Sequence, residues 1–541
     1  MSAALKQDFD VIIVGGGAGG GMATLALCEA GFKVGLIERG PRYQAKRDYI
    51  LNHLDWGSRP DPLDSARVDE QTVDQGYYTE YQSAGRAMRR SATIYHRVHG
   101  VGGSTLHYQG EAHRFAEHAF TTKRDFGWGV DWPFQYKELE PFYQRAEQLL
   151  GVAGINQNPH KEKRGSYPTP AHALSAKSLL LKHAAQKAGM SLISNPLALP
   201  TKSLDGRTPC QRSGGCNYGC VFDAKSSIDQ AIIPKAEKTG NLTLLSETRV
   251  FKIETDKDGE ISSLQCKTKQ GIQNLRATTY ILATGAVETP RLMLHSTDTN
   301  NPTGYANHND QVGRYYMETV MAKSQIELAA DIQNYSGPPI DSRIWDFCKP
   351  IDTNTNGFVL GSAAYLTPHS HPVSHAIKTT GIGRAHKAKV RNSFGKAITL
   401  FGIAEQEPQI QNRVLLGKRN DKDGIPMVQL HCEYSQRDQH TISVMQAKLK
   451  AWANAADTTV VRHGASTLYQ SSATHVGGSC RMGEDPQNSV VDRFGKVHGK
   501  RNCYITDASV LVGQGAGDSP SLTIQALALR TADKIISDLK A

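Results

Sequence analysis

The run Phe9 to Val14 (FDVIIV), followed at once by Gly15-Gly16-Gly17-Ala18-Gly19-Gly20, constrains this chain more than any other feature. Short, β-branched and almost wholly apolar, the run predicts a parallel strand buried on both faces. A helix-forming stretch extends to Ala30, and Lys33 to Glu38 predicts a second strand, completing a βαβ unit. Within it the pattern Gly15-x-Gly17-x-x-Gly20 has a mechanical reading. Gly15 permits the tight turn, Gly17 lets backbone amides approach a pyrophosphate, and Gly20 lets helix and strand pack closely. Glu38 then stands where a carboxylate accepts from ribose hydroxyls. The unit predicts a dinucleotide site, and further flavin-like segments far downstream favour FAD over NAD.

With 541 residues, 39% hydrophobic and 21% charged, the chain is long enough for several domains and is not disordered, collagen-like or a disulfide scaffold. No run reaches the roughly 18 apolar residues of a membrane span. Met1 to Asp10 shows neither a signal-peptide apolar region nor twin arginines, so no export signal is expected in this chain. The net charge is +10. The basic residues are scattered, with no aromatic platform or nucleic-acid motif, so nucleic acid is not an expected partner. A positive surface equally suits an acidic redox partner or substrate. Residues 41–90 read as a polar, Tyr-rich excursion. Strand-like runs at Met321 to Leu328, Ala397 to Ala404 and Met427 to Cys432, then a helix from Ser435 to Ala455, carry no nucleotide signature and read as an inserted domain.

Five segments resemble the glucose-methanol-choline (GMC) oxidoreductase family, in family order: HGVGGSTLHYQGEAHRF (99–115), ATGAVETPRLML (283–294), HVGGSCRMG (475–483), SVVD (489–492) and the stretch from CYITDASVL (503–511) to SPSLTIQALALR (519–530). The resemblance implies an α/β fold. Its discontinuous Rossmann-like FAD-binding domain would comprise 1–45, 90–310 and 470–541, with 46–89 as the excursion. An α+β substrate-binding domain with an antiparallel sheet would span 311–469. It also implies oxidation of an alcohol, with the flavin as hydride acceptor. Gly15, Gly17, Gly20 and Glu38 fall on the FAD pyrophosphate and ribose, Gly102, Gly103 and Ser104 against the flavin and phosphates, Val250 at the adenine, and Asp507 and Ala508 near pyrophosphate and flavin.

Taking hydride from a carbinol carbon requires removal of the hydroxyl proton, so a base is needed beside the flavin. The resemblance places His475 there, and a neutral imidazole suits the task. The family's second polar partner, Asn or His, is replaced by Ser519, whose hydroxyl offers one donor and two acceptor sites and with which Asp518 or a water could share the role. A second departure is Glu318-Thr319, where the family has an Asp-His pair. His107 stands in a register where one family branch attaches FAD covalently; packing beside the flavin is the other reading. Trp345, His369, His371 and His375 are possible sugar contacts or ordinary surface residues.

Nine cysteines, an odd number, are spread out except for Cys210-x5-Cys216-x3-Cys220 in a Gly/Asn-rich loop. Three thiolates suit a three-iron cluster, with a zinc site or ordinary thiols as the alternatives. Within the family this spacing resembles catalytic subunits of bacterial direct-electron-transfer sugar dehydrogenases, glucoside 3-dehydrogenase and FAD-dependent glucose dehydrogenase among them. That likeness implies a [3Fe–4S] cluster, a sugar or glycoside substrate, a cytochrome c or similar acceptor, and a small subunit whose export signal would take both chains to the periplasm; without one the chain would stay in the cytoplasm. Glucoside 3-dehydrogenase is the leading expectation. The alternatives are glucose, gluconate or polyol oxidation, an oxygen-using alcohol oxidase, and a non-catalytic electron-transfer or redox-sensing flavoprotein.

Overall fold

A computed structural model describes residues 8–49, 78–83, 86–91, 98–162, 165–328, 332, 334, 336–363, 375–377, 379–456, 458–462 and 475–541. Its centre is a five-stranded parallel sheet in the order Cys503–Ile505, Ala277–Leu282, Phe9–Val14, Val34–Ile37, Leu242–Leu245. The strands come from both ends and the middle of the chain, which is the expected discontinuity. Val11, Ile12 and Ile13 are wholly buried, as an unbroken apolar strand should be when both faces are covered. Helix Ala18–Glu29 packs against the last helix, Ser521–Lys540, which in turn packs on Tyr136–Leu150. Gln135 and Glu138 close a capping box at the start of Tyr136–Leu150, and Gly151 ends it in the left-handed region.

A second, six-stranded antiparallel sheet has the order Thr458–Arg462, Val320–Leu328, Ala397–Ala404, Phe358–Ala363, Ser342–Ile344, Leu192–Ser194. Alternation decides its two faces. Val320, Ala322, Ile326, Ile398, Leu400 and Leu360 pack beneath helix Gln436–Ala455, whose Met445, Leu449 and Trp452 are fully buried. The indole of Trp452 donates to Leu181 O at 3.0 Å; truncating so large a buried ring costs about 3–5 kcal/mol. The opposite face carries Met321, Val359, Phe401 and Ile403.

Two placements differ from expectation. The outer strand Leu192–Ser194 comes from the segment assigned to the dinucleotide domain, because three residues are too few to show a period. The hairpin Arg413–Asn420 with Pro426–His431 leaves the inserted sheet and packs Val414, Val428 and Leu430 against Ala286 and Val287. Within the excursion the structure describes a hairpin, Tyr78–Ser83 with Arg86–Ser91. Among the described residues no helix is long and apolar enough to cross a membrane.

Candidate active site

A cavity of about 470 Å³ runs from the glycine turn to the face of the antiparallel sheet that carries Met321, Phe401 and Ile403. Gly15, Gly17, Glu38, Gly103, Ser104, His107, Val250, Asp507, Ala508, His475 and Ser519 all line it. Sequence positions up to about five hundred residues apart thus converge on one space.

The turn behaves as its chemistry requires. Gly15 has φ +105°, and a Cβ there would meet Ala283 O at 2.4 Å. Gly20 does not line the cavity; a Cβ on it would lie 1.9 Å from Gly15 O, so its absence lets the helix pack close to the turn. Gly17 caps helix Ala18–Glu29, and a Cβ on it would have nothing nearer than Gly103 Cα at 3.9 Å. That open cradle, at the positive end of a twelve-residue helix, fits a pyrophosphate. Gly19, absent from the sequence expectation, is equally constrained, since a Cβ would lie 1.5 Å from Thr506 O. Glu38 accepts from Gly16 N at 3.0 Å and Gly40 N at 2.8 Å, and burial pushes its carboxyl up from the ordinary range. These residues fit an FAD.

Gly102 and Asp507 are both engaged by other parts of the chain. Gly102 is buried behind the wall, its amide donating to Gly16 O at 2.9 Å. The Asp507 carboxylate is occupied by protein donors: Gly285 N and Ser509 N at 2.8 Å, and the Thr289 hydroxyl. It pins the Thr506–Ser509 segment, and burial raises its pKa. Val250 is the second residue of strand Arg249–Thr255, opposite Cys266.

His475 sits where the two sheets meet. Its backbone N donates to Thr319 Oγ1 at 3.1 Å, and Gln514 Nε2 donates to its carbonyl at 2.6 Å. The departure at 318–319 therefore supplies a clamp on the histidine's backbone. The imidazole Nδ1 is buried with no protein partner. Burial pulls its pKa down to about 4; Arg343 and His113 lower it further, while Glu111 and Asp518 oppose. The ring is consequently neutral at physiological pH, as a proton acceptor must be. Ser519 lies on the same cavity, its backbone N donating to His113 Nδ1 at 3.0 Å.

Behind these two runs a buried polar chain that the sequence did not announce. Arg343 donates Nε and Nη2 to Glu111, each at 2.8 Å. Burial alone would raise Glu111, but the guanidinium holds it below the usual carboxylate range. His113 Nε2 meets Asn195 Oδ1 at 2.7 Å, while the Asn195 amide donates to Glu111 and to Ile340 O. Asp518, wholly buried, accepts from Lys161 Nζ and from Trp345 Nε1, the latter at 3.0 Å. Despite burial, the Lys161 charge holds Asp518 far below the ordinary value. Asp518 therefore supports the wall behind Ser519. Trp345 serves Asp518, and His375 is buried against Ser393 and Val390; neither lines the cavity. His369 and His371 lie outside the described residues.

Cys210, Cys216 and Cys220 line one small pocket of about 20 Å³ with Gly214, Gly215 and Gly219. All three thiols are free, and burial pushes Cys216 up to about 12 against the pull of Lys225. Among the described residues no group of three or more His, Cys, Asp or Glu side chains is arranged to hold a metal ion. Asn217, next to Cys216, lines the large cavity and accepts from Gln109. Lys225 ties the loop down, donating to Cys216 O at 2.8 Å and Leu106 O at 2.6 Å.

The GMC oxidoreductase family pattern matches residues 9–314 and 408–528. Paromamine 6'-oxidase of Streptomyces fradiae is 28% identical, over 98% of this chain and 92% of its own length. The fructose dehydrogenase large subunit of Gluconobacter japonicus is 27% identical over 98% of each chain. The crystal structure of pyridoxine 4-oxidase from Mesorbium loti superposes with a TM-score of 0.62 at 19% identity, covering 97% of this chain and 98% of that one. A glycine turn, a buried acid after the second strand, and a buried histidine on the same cavity are thus joined by a sequence match over most of the chain, and the protein belongs to the GMC oxidoreductases, FAD-dependent enzymes that oxidise CH–OH groups.

Proposed function

We propose that this chain is the catalytic flavoprotein of a sugar or polyol dehydrogenase, with a glycoside oxidised at C3 as its leading substrate, that delivers electrons to an external acceptor. One observation carries the acceptor half. Asn217 forms part of the wall of the large cavity, and its sequence neighbour Cys216 lines the small pocket with Cys210 and Cys220, so the cysteine loop reaches the cavity wall. The fructose dehydrogenase likeness supports the substrate class.

FAD, when bound, supplies a two-electron acceptor for the carbinol hydride. The residues of the chain do the rest. His475 takes the hydroxyl proton at its ring nitrogen, and its depressed pKa keeps that nitrogen vacant at neutral pH. Thr319 and Gln514 fix the backbone from which the imidazole projects. Ser519 offers a hydroxyl to the substrate oxygen. Met321, Phe401 and Ile403 close the far wall and exclude water. Cys210, Cys216 and Cys220 would hold a [3Fe–4S] cluster, which supplies one-electron carrier chemistry; three glycines within the loop let it spread around such a group. A small partner subunit, a cytochrome-type acceptor and a periplasmic site of action belong to the same reading.

The test is low-temperature EPR with acid-labile sulfide on the purified, air-oxidised protein, alongside Cys216→Ser. A three-iron signal with stoichiometric sulfide, and a variant whose flavin is still bleached by substrate while acceptor reduction is lost, are the expected results. No sulfide, and unchanged acceptor reduction in the variant, would remove the relay. The name of the paromamine relative favours an oxidase as second reading, which oxygen consumption by the wild type separates.

A further inference from the structure

Arg343 is 1% exposed, yet only part of its guanidinium is used. Nε and Nη2 grip Glu111, while Nη1 is buried without any protein acceptor, on a residue that lines the catalytic cavity. A buried N–H left unmade costs about 1–3 kcal/mol, more on a charged group, so such a donor stays in a fold only where something else satisfies it.

The sheet around Arg343 is shaped to hold that nitrogen in place. Arg343, Gly361 and Phe401 are successive cross-strand neighbours on Ser342–Ile344, Phe358–Ala363 and Ala397–Ala404. A Cβ on Gly361 would lie 2.7 Å from Arg343 Nη1 and 2.9 Å from Phe401 Cζ. The glycine in mid-strand is thus the gap through which the guanidinium reaches across the sheet. Arg343 Cζ stands 4.6 Å from the centre of the Phe401 ring. A charged fork held at two nitrogens by a carboxylate, and backed by an aromatic face, has one direction left for its third.

Charge then defines the ligand. Glu111 neutralises Arg343, Lys161 neutralises Asp518, and His475 is uncharged, so this end of the cavity has no net pull on a carboxylate or an ammonium. What remains is a directed donor beside the Phe401 ring, suited to a neutral oxygen on a ring with an apolar face.

We propose that Arg343 is the specificity-determining residue, its Nη1 donating to a second oxygen of the substrate, so that the enzyme selects neutral ring polyols over monohydric alcohols. This rests on the sugar or polyol reading above and narrows it. A pocket built to hydrogen-bond an oxygen rejects the analogue lacking it by far more than a pocket that merely excludes by size.

The experiment compares trans-1,2-cyclohexanediol with cyclohexanol, a matched neutral pair, through the anaerobic rate of flavin bleaching. This reductive half-reaction does not involve the external acceptor, whereas the acceptor half of the proposed function is read afterwards from reoxidation by dye or by dioxygen. The wild type should favour the diol by about 100-fold or more in kcat/KM. Because Arg343→Met alone would strand Glu111, the main variant is Glu111→Gln with Arg343→Met, which removes both charges together. In it the preference for the diol over cyclohexanol should collapse to near unity, chiefly through the KM for the diol. Arg343→Lys should recover part of the preference. A wild type without preference, or variants in which diol and cyclohexanol decline together, would overturn the assignment, whichever acceptor reoxidises the flavin.

Discussion

Replacing Lys161 by Met tests whether Asp518 is held ionised by its partner. The Asp518 side chain is fully buried and Lys161 is 15% exposed, so little solvent screens the pair. Without the lysine, Asp518 keeps the hydrogen bond from the Trp345 indole, which carries no charge. Breaking a buried pair from one side costs about 3–5 kcal/mol. An independent limit comes from letting the stranded acid take a proton. From an ordinary value of 3.8, that costs about 4 kcal/mol at pH 7, at 1.36 kcal/mol per unit. The two figures agree. Unfolding entropy of about 2.1 cal/mol/K per residue over 541 residues converts this into about 4 °C in Tm. The pH dependence is the sharper signature. In the variant the folded state binds a proton that the unfolded state releases, so its stability rises as pH falls from 7 towards 3.8. In the wild type Asp518 is ionised in both states over that window, so the pair's contribution is constant. The gap between them should therefore shrink from about 4 °C at pH 7 to under about 2 °C at pH 5, measured by differential scanning fluorimetry. A gap that stays constant or widens on acidification would refute the account.

Gly19→Ala and Gly17→Ala separate packing from binding. The first drives a Cβ into Thr506 O and should cost roughly 1–3 kcal/mol or more in stability, read as lost soluble, FAD-loaded protein. The second has open space around it and should melt like the wild type as apoprotein, yet retain little FAD after gel filtration. His475→Gln should keep bound FAD while the anaerobic bleaching rate falls by about 10²–10⁴.

The start of the parallel sheet was legible because Phe9–Val14 and Val34–Ile37 are short, largely apolar runs, and both lie where the βαβ reading put them. The helix Gln436–Ala455 begins within a residue of expectation, and in the structure Ser435 and Asp438 close a capping box at its start. Two strands of the antiparallel sheet were legible as well, Val320–Leu328 and Ala397–Ala404 against the expected Met321 to Leu328 and Ala397 to Ala404, but its other described strands were not. Ser342–Ile344 and Leu192–Ser194 have three residues each, and Phe358–Ala363 is interrupted by a glycine whose reason is an arginine on the neighbouring strand. The same division holds in the site. His475 and the glycine turn are local patterns. Glu111 and His113 lay inside a recognised segment without an assigned task, and Lys161 and Arg343 have no local signal, since their worth arises from partners more than a hundred residues distant. The cysteine spacing was visible and its convergence is seen, but the arrangement of a metal site among three thiols is not a property of spacing.

His475 illustrates why those distant pairs matter to the chemistry. Its nearest charges oppose one another: Arg343 and His113 depress its pKa, Glu111 and Asp518 raise it, and burial outweighs them all. As the proposed base, a histidine flanked by internally balanced ion pairs takes its protonation from desolvation, without a dedicated carboxylate to tune it. The acid limb of kcat/KM should therefore lie near pH 4, well below the 6.5 of an unperturbed histidine. Taking away both members of the nearer pair, with Glu111→Gln and Arg343→Met together, removes one raising and one lowering charge and should leave that limb nearly in place. Taking away Arg343 alone removes a lowering charge, leaves Glu111 uncompensated, and should move the limb upward towards 6.5, so that activity is lost at a higher pH. If the single and double variants shift the limb equally, balance between the pairs is not what keeps the base neutral, and burial must be reckoned with some other charge facing the ring.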